Sequence, residues 1–125
     1  MQETNRDSVG AEMYLKVLGQ PAPNTQNLTG IQELSINHLF GKIWSRKGLS
    51  IRDRRLITIC LLASQGKVPQ LKSHIRGARL GSDKLSEEEI LELMTHIAHY
   101  AGWASGVSGQ STAMAVFKEL AESET

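Results

Sequence analysis

The chain predicts an all-α fold, a helix-hairpin bundle of about five to six helices. Three observations carry this. Apolar residues recur at three- and four-residue spacing along most of the chain. Hydroxyl-then-carboxylate start signals precede two of the apolar runs, at Ser50/Asp53 and Ser86/Glu89. No alternating strand pattern and no longer repeat interrupts them.

In chain order, residues 1–8 are polar with both charge signs and read as a flexible N-terminal tail, followed by one domain over residues 9–122. Val9 to Leu18 places Met13 and Val17 one turn apart, with Gly19 positioned to end a helix. Pro21, Pro23, Asn24 and Asn27 make an extended connector. From Leu28 to Ile43, the residues Ile31, Leu34, Ile36, Leu39, Phe40 and Ile43 recur at helical spacing. Ser50 then caps a run, Leu56 to Ala63, that is apolar on every side and reads as the buried centre of the fold. Pro69 suits the first turn of the next helix, which stops at Gly81. Ser86-Glu87-Glu88-Glu89 opens another, with Ile90, Leu93, Met94 and Ile97 in one stripe. The last helix, Ser105 to Leu120, begins with small residues (Ser105, Gly106, Ser108, Gly109) that let another helix approach closely.

Composition narrows the function classes. The 125 residues fit one domain, and a net charge of +1 gives no general attraction to phosphate backbones, so no nucleic-acid partner is expected. The longest apolar run is too short for a bilayer and the first residues show no secretory leader pattern, so no membrane partner is expected. A lone Cys60 has no intrachain disulfide partner and suits a reducing compartment; the expectation is a cytoplasmic protein with Cys60 in the core.

The residue types capable of chemistry are few. His96 and His99, with Glu92 one turn earlier, have ligand-like spacing, but no matching half exists elsewhere and no metal is expected. His96 reads instead as a partly buried ring and His99 as surface. Gln70 and His74 lie one turn apart on one face, where the amide can orient the imidazole. Arg46, Lys47, Arg52, Arg54 and Arg55 surround the start of the central helix. They suit a substrate carboxylate, or salt bridges to Glu87, Glu88 and Glu89. Trp44 and Trp103, both near glycine-containing turns, suit either a pocket wall or an interface.

In order, these features resemble the carboxymuconolactone decarboxylase family. The resemblance runs from about Gly10 to Ala121. It is most specific over Phe40-Gly41-Lys42-Ile43-Trp44-Ser45-Arg46-Lys47-Gly48-Leu49, continuing through Arg52, Arg54, Leu56, Leu71, His74, Gly81, Glu89-Ile90, His96, Ala98 and Tyr100-Ala101-Gly102. It implies the alkylhydroperoxidase-D-like fold, a homotrimer or homohexamer with sites near subunit contacts, and a small-molecule substrate. The implied activity is decarboxylation of 4-carboxymuconolactone, or of a related carbonyl compound, without a cofactor. It further implies His74 as general acid with Gln70 orienting it, and His96 or Tyr100 supporting the developing oxyanion. Arg46 or Arg52 would hold the remaining carboxylate, and Trp44 and Trp103 would line the pocket.

A related branch of the family carries Cys-x-x-Cys one turn before the histidine. Here those positions are Lys67 and Gln70, which argues against dithiol peroxidase activity. Two departures concern the decarboxylases themselves: Gln70 replaces a usual glutamate, and Gly102-Trp103-Ala104 replaces a usual Gly-x-Pro. A different lactone or carbonyl reaction on the same fold, or a non-catalytic oligomeric binding protein, are the alternatives these departures leave open.

Overall fold

Local capping chemistry sets most of the helix boundaries. In the computed structural model, which describes residues 2–124, the chain is all helical among the described residues. Helix α1 spans Gln2–Leu18 and so begins at Gln2 rather than Val9; Gly19, at φ +72°, ends it. The connector contains a short 3-10 turn, Thr25–Asn27. Helix α2 follows as an α-helical turn, Ile31–Leu34, continuing as a π-helix over Ser35–Ile43. Helices α3 (Ile51–Ser64), α4 (Val68–Leu80), α5 (Glu87–Tyr100) and α6 (Trp103–Ser123) complete the bundle.

The start signals are built as expected. Ser50 Oγ accepts the Asp53 N–H at 3.0 Å, and Pro69 lies in the first turn of α4. Ser86 and Glu89 form a reciprocal capping box at 3.0 and 2.9 Å. The α2 segment departs from the expected regular helix. The Trp44 N–H reaches five residues back to the Leu39 carbonyl, at 2.9 Å, which is π geometry. Apolar spacing does not report that widening, because it arises where α1 crosses α2. A side chain at Gly10 would collide with the Ile36 carbonyl, and the backbone of Gly41 lies against Gly10 from the other side.

Two apolar clusters result. The larger joins α3, α4, α5 and α6 through residues such as Ile59, Leu71, Ile75, Ile90, Met94, Ile97, Val116 and Phe117. Cys60 packs partly buried against it. The smaller joins α1 and α2 through Val17, Leu18, Phe40 and Trp44. Gly106 and Gly109 bring α6 onto Ala98 and Met94 of α5, so the small residues of the last helix serve packing within the chain.

Helix α3 is not the wholly buried centre that its apolar run suggests. It buries one stripe, Arg55, Ile59 and Ala63, while Ile57 and Leu61 are 45% and 51% exposed. Leu56, Cys60 and Leu62 pack partly against the core beside that stripe, so the exposed residues lie on the opposite side of the helix. No helix among the described residues is long and apolar enough to cross a membrane.

Candidate functional site

Helix α4 carries His74 into the seam between the two clusters. Its partly buried ring stacks on Trp44, with centroids 5.9 Å apart and planes at 19°. Trp44 stacks in turn on Phe40 at 6.1 Å, and Tyr14 meets Phe40 edge-on at 5.1 Å. An aromatic series therefore runs from α1 through α2 to α4 and fixes one face of the imidazole. His74 Nδ1 is buried and has no hydrogen-bond partner. Burial, and secondarily the positive charge of Arg55, push the His74 pKa from 6.5 down to about 4. The imidazole is uncharged at neutral pH.

Arg55, on α3, is only 1% exposed. Its Nη1 donates to the Val17 carbonyl at 2.6 Å. Nη2 donates to the Lys16 and Ser82 carbonyls at 2.8 and 2.6 Å. Nε is shared between the Ser82 and Asp83 carbonyls at 3.1 and 3.3 Å. The guanidinium thus takes up terminal carbonyls of α1 and ties them to the α4–α5 loop. Burial lowers its pKa, and the Asp83 carboxylate opposes that shift.

The other candidate residues sit elsewhere. Arg52 is ion-paired to Glu89 and also donates to the Lys84 carbonyl at 3.3 Å, so it is not held open for a substrate carboxylate. The Arg52 and Ser86 hydrogen bonds hold the Glu89 carboxyl down at about 2. With Leu56, Glu92, Leu93 and His96, this pair lines a shallow groove of about 330 Å³ between α3 and α5. His96 is exposed rather than partly buried, because position 96 faces away from the buried Ile90, Met94 and Ile97. It stacks on Tyr100 at 4.8 Å, and Tyr100 is 83% exposed. His99 Nδ1 donates to the Thr95 carbonyl, 2.7 Å away, and His99 meets Trp103 edge-on. Trp103 is exposed at the edge of a groove of about 580 Å³ between α5 and α6, lined mainly by Met94, Ala98, Val107 and Met114.

Of the residues singled out in the sequence, the structure brings Trp44 to His74, Tyr100 to His96, Trp103 to His99 and Glu89 to Arg52, as separate pairs rather than one site. Among the described residues, no hydrogen bond or ring contact joins His74 to Gln70, Arg46, Arg52, His96 or Tyr100. Gln70 is exposed and does not orient the imidazole within this chain. Arg46 is exposed, and its carbonyl accepts from Arg54 Nη2 at 3.2 Å. No cluster of three or more His, Cys, Asp or Glu side chains suited to a metal occurs among the described residues. Arg55 is the buried member of the basic run, which the sequence did not single out from its neighbours. The available signal was its register with Ile59 and Ala63, which puts a guanidinium on the apolar stripe of α3.

The chain is 30% identical over 126 aligned positions to the 4-carboxymuconolactone decarboxylase of Acinetobacter baylyi, covering 96% of this chain and 92% of that protein. It is 28% identical over 120 positions to the nitrosuccinic acid decarboxylase of Metarhizium robertsii, covering 96% and 80%. Residues 30–119, which include α2 to α5 and most of α6, match the carboxymuconolactone decarboxylase family. With that match over most of its length, the chain belongs to the carboxymuconolactone decarboxylase family.

Proposed function

We propose that the protein is a decarboxylase of small carboxylated lactones or related carbonyl acids, working without a metal or organic cofactor at His74. The observation that carries this reading is the uncharged, aromatic-stacked imidazole with an unpartnered buried Nδ1, in a chain of this family. A buried polar atom without a partner is costly, and a bound substrate would supply one.

The chemistry fits that environment. When the C–CO₂⁻ bond of such a lactone breaks, its electron pair moves through the ring double bond onto the lactone carbonyl oxygen. Carbon dioxide leaves, and a proton is added at the carbon next to that carbonyl. An uncharged imidazole serves as hydrogen-bond donor to the developing oxyanion. To act as general acid it must first take a proton, which a bound carboxylate favours by offsetting the Arg55 charge. Trp44 supplies an apolar wall that favours loss of charge from the departing carboxylate.

The second reading keeps the fold and changes the acid. The two named relatives act on different compounds, a carboxylactone and a nitro acid. Both compounds carry an oxygen acceptor for the electrons of the broken bond, a lactone carbonyl in one and a nitro group in the other. The exposed Gln70, where the resemblance expects a glutamate, favours this second reading. An ultraviolet assay for loss of 4-carboxymuconolactone, run beside nitrosuccinate with wild type and Gln70→Glu, separates the two. Turnover of 4-carboxymuconolactone by wild type supports the first. Turnover only by Gln70→Glu, or only of nitrosuccinate, moves this chain to another acid, and no turnover of either by any variant counts against both. Self-association into a homotrimer or homohexamer belongs to the same proposal, supported by exposed Ile57, Leu61, Val107 and Met114.

A further inference from the structure

We propose that Arg55 is a specificity-determining residue of the His74 site: a buried guanidinium without a carboxylate partner, whose positive charge selects ligands that carry or develop negative charge there. The inference deepens the decarboxylase reading and rests on it only for the identity of the anion.

The charges near the site differ in how they are compensated. Arg52 is paired with Glu89, and Lys72 and Arg76 of α4 share Glu119 of α6 at 2.8 and 2.9 Å. These pairs are solvated, so their fields are screened. Arg55 makes every one of its hydrogen bonds to backbone carbonyls, and no carboxylate pairs with it. Carbonyl dipoles satisfy its N–H groups without cancelling its charge. Asp83 is exposed and offsets that charge only from a distance. One Nη1 hydrogen is also left over, since Nη1 has two and a single acceptor, the Val17 carbonyl.

Geometry links that charge to His74 through the end of α1. Gly77, three residues after His74 on α4, presses against Val17 and Leu18 so closely that a side chain there would collide with the Val17 carbonyl. Arg55 Nη1 holds that same carbonyl. Val17 and Leu18 pack in the cluster of Trp44, the residue stacked on His74. Helix α2 meets the imidazole with uncharged Trp44, and α1 contributes only backbone carbonyls to Arg55, with Lys16 exposed. The field at His74 is therefore set from α3. In a buried setting an uncompensated charge acts over several ångströms with little screening.

The test compares binding of a saturated γ-butyrolactone carboxylate with that of its methyl ester. The saturated ring has no conjugated acceptor, so the probe binds without turning over. Affinity is read by calorimetry, contact with the site by the His74 imidazole resonances, and folding by circular dichroism. Wild type should prefer the acid by about tenfold, Arg55→Lys should retain most of that preference, and Arg55→Gln should reduce it to about onefold. Equal acid-to-ester ratios in wild type and folded Arg55→Gln overturn the proposal, as does equal loss in Arg55→Lys and Arg55→Gln. Should the Arg55 variants fail to fold, Asp83→Asn decides: removing the distant carboxylate should raise the acid preference by about twofold, and an unchanged ratio overturns the proposal. Failure to turn over either 4-carboxymuconolactone or nitrosuccinate with the acid preference intact counts against the decarboxylase reading and leaves the role of Arg55 standing.

Discussion

Two regions of the molecule pair a histidine with an arginine, and they behave differently. Around His74 the imidazole is stacked on a buried Trp44, its Nδ1 lacks a partner, and Arg55 contributes charge without a counter-ion. Around His96 the imidazole is exposed and stacks on an exposed Tyr100, while Arg52 is neutralised by Glu89. Residue types are nearly the same. Desolvation separates the regions: it leaves an unmet hydrogen-bonding capacity in one and lets water satisfy everything in the other.

The largest expected effect strikes the frame of the first region. Gly77→Ala should destabilise the fold by about 3 kcal/mol, read as a lowered melting temperature, because the added methyl meets the Val17 backbone rather than a movable side chain. The gain in helix propensity, about 1 kcal/mol, does not offset that collision. Gly48→Ala, with nothing within 4 Å of the new methyl, is the control and should change the melting temperature little.

Next in size is the difference between the histidines. His74→Ala should lower kcat/KM by about 100-fold or more on the true substrate, whereas His96→Ala should stay within about threefold of wild type. Equal losses would erase the distinction drawn between the two regions.

The third effect concerns pH. The folded-state pKa of His74, about 4, lies below the ordinary 6.5. Unfolded chains therefore bind more protons than folded ones between those values. This contribution is fully present above pH 6.5 and is lost as pH falls towards 4, amounting to at most about 3 kcal/mol. Denaturant titrations of wild type and His74→Gln across that window should show the slope flattened in the variant.

The smallest effect belongs to the second region. Arg52→Ala should shift the melting temperature by no more than about 2 °C, and about 1 M salt should remove the difference, since the Arg52–Glu89 pair is 42% exposed on both sides. A larger, salt-independent loss would make that groove more than a solvated surface.

Much of the fold was legible because it depends on short-range chemistry. The hydroxyl of Ser50, the capping box of Ser86 and Glu89, and Pro69 in its first turn each act within three or four residues, so spacing alone located α3, α5 and α4. The π geometry of α2 was not legible, because it occurs where α2 meets Gly10 of another helix. Of the candidate site, the family motif contained both His74 and Trp44, whose rings the structure stacks. Gln70, on the same helical face as His74, ends in solvent, since facing the same side of a helix does not ensure contact.

By itself, the sequence determined the helical class, the caps and the family, all of which follow from local hydrogen bonding or from a motif in register. Only the tertiary structure decided which of five basic residues is buried. Arg52 and Arg55 stand three positions apart on one helix, yet one meets a solvated glutamate and the other is sealed against backbone carbonyls. That difference comes from what α1 and the α4–α5 loop exclude from water, and burial of this kind is a property of the assembled helices rather than of any one of them.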